Sequence, residues 1–67
     1  MSDLEKFIAL YKNFGIELSP IEKPHYPDHI LIEMVAGETP GVGGYDGMTT
    51  TIFFTKDGKF DSQSIWE

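Results

Sequence analysis

Apolar residues open the chain at Leu4, Phe7, Ile8, Tyr11 and Phe14, three or four positions apart, with mostly polar residues between them. At 3.6 residues per turn that spacing forms one stripe along a helix. Ser2 followed by Glu5 makes a capping box, and Asp3 adds negative charge where a helix start is positive. Lys12 in the last turn and Gly15 just beyond it are stop signals. The pattern predicts one amphipathic helix over 3–14. Its polar face lacks the basic residues of a membrane-surface helix, so the stripe is expected to pack on a core.

The period then shortens to two. Ile16 and Leu18 alternate weakly before Pro20, which cannot donate to a ladder, so 16–22 is expected as an edge strand or extended segment. Pro24 and Pro27 mark residues 23–28 as a loop. Over 29–35 the alternation is clear: Ile30, Ile32 and Met34 point one way, Leu31, Glu33 and Val35 the other. Residues 36–47 read AGETPGVGGYDG and hold five of the seven glycines, a loop long enough to suspect a function.

Strands are expected at about 48–55 and 59–66, joined through Asp57-Gly58 as a β-hairpin rich in β-branched and aromatic residues. Two registers compete. A two-residue loop sets Phe54 opposite Asp61 and Ile52 opposite Gln63. A three-residue loop, Lys56-Asp57-Gly58, sets Thr55 opposite Lys59 and Phe54 opposite Phe60. The second gathers Met48, Ile52, Phe54, Phe60 and Trp66 on one side, leaving Thr49, Thr51, Phe53, Asp61, Gln63 and Ile65 on the other. Because a one-residue slip transfers a whole apolar set between faces, burial favours the three-residue loop.

These elements predict an α+β fold in a single domain, 1–67: an N-terminal helix packed on one face of a four-stranded, mostly antiparallel β-meander. The helix side comprises Leu4, Phe7, Ile8, Tyr11, Phe14, Ile30, Ile32, Met34, Ile52, Phe54 and Trp66. One helix covers only one face, so Leu31, Val35, Phe53 and Ile65 remain on the open side as the expected partner-binding residues. A chain of 67 residues has a narrow stability margin, and with no cysteine there is no disulfide to widen it. A homodimer is the expected remedy.

Eleven acidic residues against five lysines, with no arginine, give a net charge of −6. That balance opposes binding to nucleic acid or an anionic membrane surface, and it removes the bidentate phosphate clamp. The carboxylates are dispersed among lysines, which suits solubility better than nucleic-acid mimicry. The longest apolar run, Phe7 to Tyr11, is too short for a membrane span or signal peptide, so a cytoplasmic protein is expected.

Little in the chain suggests reaction chemistry. His25, Asp28 and His29 are the only cluster resembling metal ligands. Two histidines at i and i+4 suit zinc on a helix, but Pro27 lies between them and a strand follows, so no metal is expected. Gly41-Val42-Gly43 begins a G-x-G-x-x-G, yet Asp46 occupies the final position and no Lys-Ser or Lys-Thr follows. Freed backbone N–H groups at Gly41, Gly43 and Gly44, with Tyr45 to stack on a ring, leave a nucleotide-like ligand as the alternative function. Ser2, Ser19, Ser62 and Ser64 have no nearby histidine, and Asp57 and Asp61 flank a turn rather than a cleft. No catalytic residue and no cofactor are expected, and the chain is read as a non-enzymatic binding protein.

Gly44-Tyr45-Asp46-Gly47-Met48, Ile52-Phe53-Phe54, Asp57-Gly58-Lys59-Phe60 and the final Trp66-Glu67 give the last third of the chain an organisation that resembles very small proteins encoded by bacteriophages and prophages. The resemblance implies a short helix with a β-meander, action by binding, frequent homodimers, and a host factor as target, including host defence proteins.

Overall fold

The computed structural model describes residues 1–66. Ser2 begins a helix, α1 (Asp3–Asn13), and both bonds of the capping box are made. Glu5 N donates to Ser2 Oγ at 3.1 Å, and Ser2 N donates to Glu5 Oε1 at 2.9 Å. Gly15, at φ +81°, turns the chain out of the helix, its N–H donating to Lys12 O. Phe14 is therefore the C-cap rather than part of the apolar stripe, and it is exposed, with Tyr11 its one aromatic neighbour.

Three strands follow: β1 (His29–Val35), β2 (Thr49–Thr55) and β3 (Phe60–Trp66), antiparallel and in the order β1-β2-β3. The fold is α+β with a three-stranded sheet. The fourth strand expected at 16–22 does not form. Ile16 N donates back to Tyr11 O, holding that end of the segment to the helix, and Pro20 has no N–H to offer. What remains is a single bridge, in which Ile21 and Leu31 exchange backbone bonds of 2.8 and 2.9 Å along the outer edge of β1.

Ile32, Met34, Ile52 and Phe54 form the buried core between α1 and the sheet, with Leu4, Phe7, Ile8, Tyr11, Leu18, Ile30 and Val42 packed around it. Phe7 meets Phe54 edge-on at 5.8 Å. Burying each such side chain stabilises the fold by about 1.5–3 kcal/mol. Val42 belongs to the glycine-rich loop, so that loop is pinned to the core rather than free above it.

The β2–β3 hairpin uses both candidate registers. Near the turn Phe54 pairs with Phe60, as a three-residue loop requires. Beyond a bulge at Asp61, Phe53 pairs with Ser62, Ile52 with Gln63 and Thr49 with Trp66, as a two-residue loop would give. The extra residue reverses the facing of everything after it. Gln63 and Ile65 therefore lie on the helix side, and Trp66 lies on the opposite side with Phe53, the reverse of the expected placement.

Gly58, at φ +88°, fixes the turn and also receives the helix. Leu4 N donates to Gly58 O at 2.8 Å, and Phe60 N donates to Asp3 Oδ2 at 2.9 Å. A Cβ at Gly58 would stand 2.6 Å from Ser2 Cβ. The start of α1 is thus locked onto the β2–β3 turn, while its apolar stripe covers β1 and β2. No residue of β3 is buried.

Candidate functional site

The sheet face away from α1 is not open as expected. After the Ile21–Leu31 bridge the connector folds across it, and Lys23 Nζ reaches Glu33 Oε2 at 2.7 Å. Tyr26, held between Pro24 and Pro27, sets its ring edge-on to Phe53 at 4.9 Å. His29 packs on the same ring at 5.9 Å, and its Nε2 lies 3.0 Å from Asp61 Oδ2, linking β1 to β3 across β2. Asp61 reaches this face by alternation from Phe60, and the bulge then sets Ser62 beside it on the same face.

Between connector and sheet lies a concavity of about 290 Å³. Tyr26, Phe53 and Trp66 supply aromatic walls, Thr51 lies in the floor, and the Lys23–Glu33 pair stands at the rim. A second hollow of about 310 Å³ shares the three aromatic residues and extends to Asp61 and Ser62. Thr51 is 1% exposed, and its Oγ1 has no hydrogen-bond partner among the described residues. A buried hydroxyl left unsatisfied costs about 1–3 kcal/mol, so this one stands out in so small a fold.

The expected partner-binding residues divide. Leu31 and Phe53 are on this face but buried, Val35 is half-buried, and Ile65 is exposed on the opposite side. Exposed apolar residues occur at Met1, Leu10, Phe14 and Tyr45, and three more gather on β3: Phe60 (56%) and Ile65 (61%) on the helix side and Trp66 on the other. Leu10 and Phe60 line one shallow groove with Phe7 and Phe54. Along the outer edge of β3, no strand or bridge pairs with it among the described residues.

The glycine-rich loop does not gather its four candidate residues. Gly41 and Gly43 line a hollow beside Phe7, Tyr11 and Met34, Gly44 abuts Met48, and Tyr45 is exposed in a separate small depression with Asp46 and Gly47. The loop is closed by its own bonds, Ala36 N to Met48 O and Gly47 N to Ala36 O, both 2.8 Å. His25 is exposed while His29 is turned to Asp61, and no group of three or more His, Cys, Asp or Glu side chains is placed to hold a metal among the described residues. Nor is any helix among them long and apolar enough to cross a membrane.

Lys23, Tyr26 and Thr51 were not expected at a site. The available signal was Tyr26 itself, an aromatic residue fixed between two prolines beside an otherwise polar loop. Compared with protein-family models, curated proteins and solved structures, the chain matches none. Glu67, the last residue of the phage-type resemblance, lies outside the described residues.

Proposed function

We propose that the chain is a non-enzymatic binding protein that acts through protein–protein contacts, assembling with a second copy of itself along β3. One observation carries this: β3 presents an unpaired outer edge with Phe60 and Ile65 exposed on one side of it and Trp66 on the other. An unpaired edge is a template for another strand, and proteins that stay monomeric usually guard it with lysine, proline or a bulge. Here the bulge guards only the start. Ser62–Trp66 is regular and carries neither lysine nor proline.

Antiparallel pairing of two copies about Ser64 joins two three-stranded sheets into one of six strands. Ile65 then lies beside Gln63 of the second copy, and both helices sit on the same face. A domain this small gains the apolar burial it cannot supply alone. The phage-type organisation adds the class of target, a host factor such as a defence protein, engaged by the dimer.

Native mass spectrometry tests the assembly. Twice 7.6 kDa is expected for the unaltered chain, and Ile65→Asp is expected to return a folded monomer, since the side chain is exposed in the single chain. An unaltered chain that stays monomeric at high micromolar concentration contradicts the assembly. So does a dimer indifferent to Ile65→Asp.

A further inference from the structure

The buried hydroxyl of Thr51 has no role in association along β3. It lies on the other face of the sheet, in the concavity walled by Tyr26, Phe53 and Trp66. We infer that this concavity binds a small, uncharged heteroaromatic molecule bearing an amino group, of the nucleobase type.

Three features define the ligand. First, the walls come from three separate segments: Tyr26 from the connector, Phe53 from β2 and Trp66 from β3. Aromatic side chains converging on a hollow favour a flat ring, because stacking is available to any π-face. Second, Thr51 Oγ1 can both donate and accept, and it is unpartnered at the floor. A ligand edge with a ring nitrogen or an amino group satisfies it; a hydrocarbon does not. The Thr51 oxygen is closed to solvent, so a ligand reaches it only when a lining side chain moves.

Third, the charge selects against anions. Lys23 is the one cation in the lining, and Glu33 already pairs with it at 2.7 Å. Glu33 offers its second carboxylate oxygen to a donor, and Asp61 stands at the far end of the neighbouring hollow. In a chain of net charge −6 without arginine, a phosphate here is repelled, whereas an amino group is attracted. This differs from a nucleotide held in the glycine-rich loop in both place and charge.

Trp66 is the single tryptophan, so its indole N–H gives one resonance that reports on the wall. The full chain, labelled with ¹⁵N, is titrated with adenosine and with cytidine to millimolar concentration, and with AMP as the charged counterpart. Saturable shifts of the Trp66 indole and the Thr51 amide are expected with at least one nucleoside, and AMP is expected to bind several-fold more weakly. Thr51→Val keeps the shape and removes the hydroxyl. It is expected to fold with an unchanged or raised Tm, yet to bind about tenfold more weakly, the effect of losing one hydrogen bond. Tyr26→Ala, with its fold checked by the amide spectrum, is expected to lose binding as well. Shifts that fail to saturate with either nucleoside, equal binding by Thr51→Val, or tighter binding of AMP would overturn the inference. Because Trp66 also stands on the proposed β3 seam, the titration is run on the Ile65→Asp background, where the chain is expected to be monomeric; Ile65 lies on the opposite face and does not line the concavity.

Discussion

β1 and β3 have the same length, run antiparallel to the same partner and flank it symmetrically, yet their burial has little in common. β1 buries Leu31, Ile32 and Met34, whereas β3 buries nothing. The difference lies in what covers each strand. β1 has α1 on one side and the Lys23–Tyr26 connector on the other, while β3 meets only the tip of the helix and the edge of the connector's reach. Hydrogen-bonded pairing makes a strand, but layers above and below it make a core. The centre of β3, Asp61 to Ser64, is polar as that position requires, and its apolar residues stand at its two ends.

The sharpest test sets one isoleucine against another. Ile32→Ala in β1 is expected to cost about 2–5 kcal/mol, because it opens a cavity at a site almost closed to solvent. Ile65→Ala in β3, measured by urea denaturation of dilute protein, is expected to cost no more than about 0.5 kcal/mol. Equal losses would erase the distinction between the two strands. Gly58→Ala comes next, since Gly58 is where the β3 side is tied to the helix. An alanine there must hold a positive φ and displace Ser2, so a loss of about 1–3 kcal/mol is expected in the same measurement.

The smallest effect concerns pH and the cap that sits on this turn. The Ser2 backbone N–H, aided by its hydroxyl, holds the Glu5 carboxyl below its ordinary value of 4.5. A lowered folded-state pKa gives stability that is present above 4.5 and lost as pH falls through the folded value. The Tm difference between the unaltered chain and Glu5→Gln is therefore expected to be larger at pH 7 than at pH 3. A difference independent of pH would mean the capping carboxylate contributes nothing through its charge.

The helix was legible because every local signal agreed: stripe, capping box, acidic first turn and C′ glycine. β1 was equally plain from its alternation. The hairpin was legible in position but not in facing. The favoured three-residue register held only at the turn, where Phe54 meets Phe60, and the two-residue register held for the rest of the ladder. The contact of Asp61 with His29, 32 residues earlier in sequence, accompanies the change from one to the other. That single residue decided where Ile65 and Trp66 would lie. The concavity was illegible for the same reason, since it needs Trp66 on the far face and a proline-rich connector folded back over β2. Local spacing carries no record of either.

The lock between Asp3 and Phe60 joins residues 57 positions apart, and that distance bears on the order of folding. Closing a loop of this size costs about 3.6 kcal/mol in chain entropy beyond a constant, whereas the β2–β3 turn closes almost at once. The hairpin is therefore expected to close first, with α1 docking once β1 and β2 are paired and the turn that receives its start is in place. Weakening the lock should leave the rate of folding nearly unchanged and speed unfolding, so the last contact made is also the first released.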